Sequence, residues 1–264
     1  MKNIQIALVS VVAALSLAGA VVVEVGEDAV APKSTVSDAK RMDAEMMNPG
    51  AKIGCRERKC GGRFKVLIYG NSIAAHEPAP KIGWNADWGM AATSRDKDFA
   101  HLVVAGLEKR HGERADYRIR NLAVLERNYR VNLDEYTDLA ADVAYAPDYV
   151  VIAIGENVPS IKDSDVLDYT QFLVRLAKPL VESERRPKVV MRSPFWRNAV
   201  KADCTAKAAN EVGAIYVDAG PLGDRDENMA LGLFEHKGVA NHPGDLGMRR
   251  LAELILSGFN GGAR

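Results

Sequence analysis

The chain has 264 residues, 47% of them apolar and 27% charged, with Lys+Arg and Asp+Glu balanced at 35 each. That length and apolar content suffice for one α/β core but hardly two, so one main domain with extensions is expected. The composition excludes a disordered chain, and the charge balance excludes a strong electrostatic pull toward nucleic acid or an anionic membrane surface.

Residues 1–20, MKNIQIALVSVVAALSLAGA, join Lys2 to an apolar stretch over 4–17 and end on the small residues Ala18-Gly19-Ala20. This reads as a secretory signal cut near Ala20, and hence as an exported protein, periplasmic or secreted. The competing reading is an uncleaved anchor, because residues 21–23 lengthen the apolar run to about what spans a bilayer; the membrane would then be met through this segment alone. No cysteine follows the run, which argues against a lipid anchor. Residues 21–62 read as an N-terminal extension or linker punctuated by Pro32, Pro49, Gly50 and Gly61-Gly62, with a short amphipathic helix over 37–47 capped by Ser37. In an oxidising compartment Cys55 and Cys60 are close enough to close a small loop as a disulfide. A metal pair is the alternative, but no second Cys/His pair with ligand spacing accompanies it. Cys204 lies in a helical stretch and reads as a buried, inert thiol.

The main domain is expected over 63–264. Apolar runs at 66–69, 149–154, 189–191 and 215–217 read as buried parallel strands, and 117–124 as a less regular fifth. Helical patterns fall between them at 99–111, 133–145, 166–184 and 199–212, with 246–256 closing the chain; Pro179 should kink or divide the third. The alternation implies an α/β fold, a three-layer α/β/α sandwich around a five-stranded parallel sheet. Ligands of such sheets sit at the carboxyl ends of the strands.

Two sequence features point to that edge. Gly70-Asn71-Ser72 directly follows the first strand, and Asn241-His242-Pro243-Gly244-Asp245 precedes the last helix. A serine on a tight turn after a strand and a histidine just before the last helix are the two halves of an acyl-transfer site. Taken singly, Ser72 reads as a turn or helix cap, Asn157 as a loop residue and His242 as a turn residue before Pro243. Their joint placement at strand ends favours the catalytic reading.

Over residues 64–258 the pattern resembles the SGNH hydrolases, also called the GDSL family of esterases and lipases. The first block of that family matches Gly70-Asn71-Ser72-Ile73, with asparagine where aspartate is common; the third matches Gly155-Glu156-Asn157 and departs at Val158; the last matches His242-Pro243. The resemblance implies a flavodoxin-like fold and a Ser72 nucleophile activated by His242 as general base. It also implies an oxyanion hole made of the Ser72 N–H and the Asn157 side-chain amide, with no metal or cofactor. Asn121 stands as a third donor from the second block, whereas Glu126 occupies the position where that block would have glycine and is counted among residues facing substrate. Val239 replaces the aspartate that would orient the histidine. His242 would then be held by a backbone carbonyl, as a Ser-His dyad, or by a carboxylate such as Glu235; Asp245 reads as the cap of the last helix. His76 is either a substitute base or a loop contact.

The loop over 76–98 holds Trp84 and Trp88, and Trp196 follows the fourth parallel strand. Tryptophans at strand ends form a stacking wall for a sugar ring, or else pack the loop onto the domain. Together with export, this suggests a carbohydrate O-acyl ester with a short acyl group such as acetyl, ahead of a lipase, thioesterase or acyltransferase on the same residues. A glycan-binding protein on a catalytically lapsed scaffold is the alternative from another class. No Gly-x-Gly-x-x-Gly follows the first strand, which speaks against a nucleotide-binding protein. An unperturbed histidine base would switch the activity on around pH 6.5.

Overall fold

The computed structural model describes residues 55–59, 61 and 64–261. The signal segment, the expected 37–47 helix and Cys60 lie outside the described residues, and so does the expected Cys55–Cys60 pairing.

Among the described residues six strands form one sheet: β1 (Cys55–Arg58), β2 (Phe64–Gly70), β3 (Ala115–Asn121), β4 (Tyr149–Ile152), β5 (Lys188–Arg192) and β6 (Ile215–Val217), in the order β1-β3-β2-β4-β5-β6. The five expected strands are all parallel, and β1 is an added antiparallel strand beside β3. Its sequence, CRER, carries no apolar run because an edge strand has one open side and needs none. Arg58 fastens it, donating to the Ala115 carbonyl and pairing with Glu108.

The helices are α1 (Phe99–His111), α2 (Ala123–Arg127), α3 (Leu139–Ala144), α4 (Val166–Val181), α5 (Ala199–Val212), α6 (Gly220–Gly223), α7 (Lys237–Ala240) and α8 (Asp245–Gly261). Residues 133–145 are not one helix. The Asn132 side chain caps a 3-10 turn at Leu133–Glu135 and the Asp138 side chain separately caps α3, so local side-chain hydrogen bonds split the stretch. Pro179 does not divide α4, which runs on to Val181; in the last turn a proline removes a single ladder bond.

Alternation along the strands sends Val66, Ile68, Ile119 and Val151 into one core with Phe99, Val103, Leu107, Met248, Leu251, Ile255 and Phe259 of α1 and α8. Leu67, Tyr69, Val150, Ile152 and Met191 enter the opposite core with Phe172, Leu176, Leu180 and Ala208 of α4 and α5, where Cys204 is also buried. Both faces of the sheet are covered, so the fold is a three-layer α/β/α sandwich.

The connectivity locates the crevice. From β2 the chain steps to β3 on one side and then crosses to β4 on the other, so the strand order reverses between β2 and β4. At such a reversal the two loops leaving the carboxyl ends diverge and leave an opening. Ser72 lies just beyond β2 and Asn157 just beyond β4.

Helix α8 passes so close to the preceding loop that a β-carbon on Gly247 would stand 2.1 Å from the Asn228 carbonyl oxygen. Alanine is the better helix former by about 1 kcal/mol. Gly247→Ala is nevertheless expected to destabilise the protein by about 1–3 kcal/mol, because backbone rather than a yielding side chain occupies the space. The shift in urea midpoint measures it.

Candidate active site

The turn that carries Ser72 is built from its neighbours. After Gly70 the chain doubles back, with the amides of Ala74 and Ala75 both donating to the Asn71 carbonyl at 3.0 Å and the Ile73 amide donating to the Asn71 side chain at 3.1 Å. A β-carbon at Gly70 would lie 2.4 Å from that of Ala74, so only glycine lets the turn close this tightly. Asn121 braces the same turn by donating to the Ala75 carbonyl at 2.7 Å and accepting from the Ala123 amide at 2.9 Å. That placement commits one of its two amide hydrogens to the turn.

His242 meets Ser72 across the crevice. The Ser72 Oγ to His242 Nε2 distance is 2.9 Å, with Ser72 9% and His242 3% exposed. The other ring nitrogen, Nδ1, lies 2.6 Å from the Gly238 carbonyl. A carbonyl only accepts, so Nδ1 carries the proton and Nε2 turns its lone pair to the serine hydroxyl. Gly238 lies in the short helix α7, whose final carbonyls lack helical partners, and the imidazole supplies one. Of the alternatives weighed for orienting His242, the backbone carbonyl is the one present; Glu235 is exposed. Asp245 is the first residue of α8 and its carboxylate accepts from the Thr93 amide at 2.8 Å and the Thr93 hydroxyl at 2.7 Å and pairs with Lys97, so it ties down the 76–98 loop instead of capping the helix. Burial pushes the His242 pKa down to about 4, with the Gly238 carbonyl pulling in the opposite direction.

Behind the pair lies a buried carboxylate network. Glu126 is fully buried and takes Asn71 Nδ2 at 3.1 Å and the Gly155 amide at 2.5 Å on one oxygen, and the Asn157 amide at 3.1 Å together with Asn157 Nδ2 on the other. This corrects its assignment as a substrate-facing residue. Its backbone N–H is also engaged, donating to the Leu122 carbonyl at 2.9 Å, so it is not open to a ligand. Asn71 Nδ2 also donates to Glu156 at 2.6 Å, and Glu156 accepts from the Phe195 amide at 2.8 Å and pairs with Arg192 at 2.6 Å, with neither side chain of that pair more than 2% exposed. Burial and the neighbouring Glu156 charge raise the Glu126 pKa. Burial acts on Glu156 too, but the Arg192 guanidinium and the surrounding donors outweigh it and hold its carboxyl below the usual range. Gly155 bends the chain at φ 127, where a β-carbon would lie 2.8 Å from Pro194.

Sequence reasoning passed over Glu156, Arg192 and the Gly238 carbonyl. The first two had a signal: each charge sits at or just past the carboxyl end of a buried apolar strand, and neighbouring strands bring the opposite charges together. The Gly238 carbonyl had none.

The tryptophans divide. Trp84 is 3% exposed and packs against Trp88 and Phe234, so it belongs to the loop's own core and offers no open wall. Trp88 is half-buried and donates to the Ala92 carbonyl at 2.9 Å. Trp196 stands edge-on against the His242 ring at 5.2 Å and donates to the Asn241 carbonyl at 3.2 Å. His76 places Nδ1 2.6 Å from the Glu77 carbonyl, a loop contact.

Removing the cation from the buried pair should be severe. Arg192→Met is expected to lower stability by about 3–5 kcal/mol at neutral pH, because Glu156 is left charged and unpaired. The loss should shrink in acid as that carboxyl takes up a proton, which urea unfolding at pH 7 and at pH 5 would measure.

No family model matches the chain, and no curated protein matches it. Among solved structures it is similar to a family two carbohydrate esterase from Cellvibrio japonicus, at 14% identity and a TM-score of 0.48 over 75% of this chain and 61% of that one. It is similar to a carbohydrate esterase family 2 enzyme with a carbohydrate-binding domain from Corynascus thermopiles (Myceliophthora fergusii), at 15% identity and a TM-score of 0.46 over 75% of this chain and 67% of that one. A lipase from a goat rumen metagenome matches at 12% identity and a TM-score of 0.44 over 76% of this chain and 100% of that one. This chain thus spans about two thirds of the length of the two carbohydrate esterases, and likeness at this level says nothing of chemistry.

Proposed function

We propose that the protein is an exported serine ester hydrolase of SGNH type that acts on short acyl esters, with O-acetylated carbohydrate as the favoured substrate class. The observation that carries this reading is the hydrogen bond between Ser72 Oγ and His242 Nε2 at the strand-order reversal, with the Nδ1 proton fixed by the Gly238 carbonyl. Ser72 Oγ attacks the ester carbonyl as its proton passes to His242 Nε2. The tetrahedral intermediate collapses, the C–O bond to the alcohol breaks, and the alcohol leaves with the proton from Nε2. Water then attacks the acyl-enzyme as its proton passes to His242 Nε2, the bond between the acyl carbon and Ser72 Oγ breaks, and Oγ takes the proton back as the acid is released. The Ser72 N–H and the Asn157 amide receive the oxyanion.

A short acyl group is supported by closure around the pair: the two side chains are nearly covered, and Trp196 stands against the histidine ring. Export is supported by the signal-like residues 1–20. The second reading, a glycan-binding protein on a lapsed scaffold, is favoured by Glu126, which places a carboxylate against Asn157 and withholds a third donor.

Residues 21–264 are expected to hydrolyse p-nitrophenyl acetate and to be labelled at Ser72 by a fluorophosphonate. Ser72→Ala and His242→Ala should each remove turnover while the fold is retained. A parent protein that neither turns over nor labels would decide for the binding protein. Asn157→Ala is expected to lower kcat by about 10²–10³, the usual loss for one oxyanion donor.

The pH profile follows from the lowered His242 pKa. The base is competent when neutral, so kcat/KM should hold from pH 7 down to about pH 5 and fall only through about pH 4, instead of around 6.5 as an unperturbed histidine would give. In stability the unfolded chain binds this proton first. The folded protein should therefore lose up to about 3 kcal/mol from this group as pH falls from 6.5 toward 4.

A further inference from the structure

Glu126 has no part in the chemistry described above, and its surroundings are too specific for filling space. All the hydrogen bonds to its carboxylate come from N–H groups, and the two oxygens divide them by origin. Oε1 takes the Asn71 side chain, next to the nucleophile, and the Gly155 amide. Oε2 takes both the backbone and the side-chain nitrogen of Asn157. One planar group thus spans the turn after β2 and the loop after β4. On the far side of that loop the buried Lys201 ammonium donates to the Gly155 carbonyl at 2.9 Å and also to the Val158 carbonyl at 2.5 Å, so residues 155–158 are clamped between a buried anion and a buried cation.

An asparagine amide can turn over at small cost, exchanging its NH₂ for its carbonyl oxygen. For an oxyanion donor the two orientations are opposite in effect, since one offers a proton and the other a lone pair. A carboxylate accepts and cannot donate, so it tolerates only the NH₂ side. We infer that Glu126 is a positioning residue that locks the Asn157 amide with its NH₂ toward the crevice, one hydrogen on the Glu126 carboxylate and the other left for the carbonyl oxygen of the substrate. The inference rests on the proposed ester hydrolysis. It gives the glutamate at the expected glycine position a function: the chain gives up a backbone donor there and gains a fixed side-chain donor.

Glu126→Gln keeps the volume but lets the amide of residue 126 either donate or accept, so Asn157 is free to turn. With p-nitrophenyl acetate, E126Q is expected to lower kcat tenfold to a hundredfold with KM within twofold, and E126D, which keeps the charge, to recover part of the loss. The decisive comparison is the cycle of E126Q, N157A and the double variant, each checked for a folded state by thermal melting. If Glu126 acts through Asn157, adding E126Q to N157A leaves kcat unchanged within twofold. Losses that multiply in the double variant, or a single E126Q with kcat within twofold of the parent, would overturn the inference while leaving the hydrolase reading intact. Should E126Q not fold, E126A, which removes the acceptor altogether, enters the same cycle and is judged by the same two outcomes. A parent without turnover or fluorophosphonate labelling overturns the hydrolase reading itself, and the inference with it.

Discussion

The carboxyl edge of the sheet is held together by buried charge. Glu126, Asn71, Glu156 and Arg192 form one chain of hydrogen bonds that joins the ends of β2, β4 and β5 to the helix after β3. Two carboxylates in one dry pocket repel each other and resist desolvation, and they persist because N–H donors and a guanidinium surround them. The arrangement is demanding, since each member left without its partner becomes a liability. That demand is what makes it useful: loops joined through paired buried ions have little freedom, and the serine turn and the Asn157 loop are two of them.

The histidine is held by a different device. A carboxylate beside His242 would both orient the ring and favour its charged form, whereas the Gly238 carbonyl orients it with less help for the cation. Burial therefore dominates, and the ring stays neutral well into acid. The weaker support for an imidazolium is compensated in part by the Glu156 charge, which acts on the ring through the same pocket. The loop carrying His242 is fixed by backbone pairing, with the Ala230 amide on the His242 carbonyl and the Gly244 amide on the Asn228 carbonyl. Its position owes little to side-chain identity, which is why no motif beyond His242-Pro243 marks it.

Regular elements were legible where burial on both sides leaves a strong pattern. The boundaries expected for α1 and α5 coincide with those found, because Asp98 and Asn198 cap their starts and Gly112 and Gly213 end them in the left-handed region. Four of the parallel strands were legible as apolar runs for the same reason, whereas β3, ADYRIRN, alternates in burial and so gave only a less regular signal over 117–124 where the strand is Ala115–Asn121. The edge strand β1 was not, since CRER has neither an apolar run nor alternation. The 133–145 stretch misled because its apolar spacing is helical while Asn132 and Asp138 each start a separate short element.

At the site, the sequence by itself determined that Ser72, Asn157 and His242 stand at loop positions beside strand ends or the last helix, since the apolar runs and turn residues around them mark those places without any contact being known. Only the tertiary structure decided what each of the others does. Trp84 and Glu126 looked like residues for a ligand and are buried, Asn121 looked like a donor and braces a turn, and the acceptor for the histidine proved to be a main-chain carbonyl. The physical reason is that roles of this kind depend on direction and partner. A side chain's type fixes what it can donate or accept, but which group it faces is set by the strand order and the packing that bring distant loops to one edge.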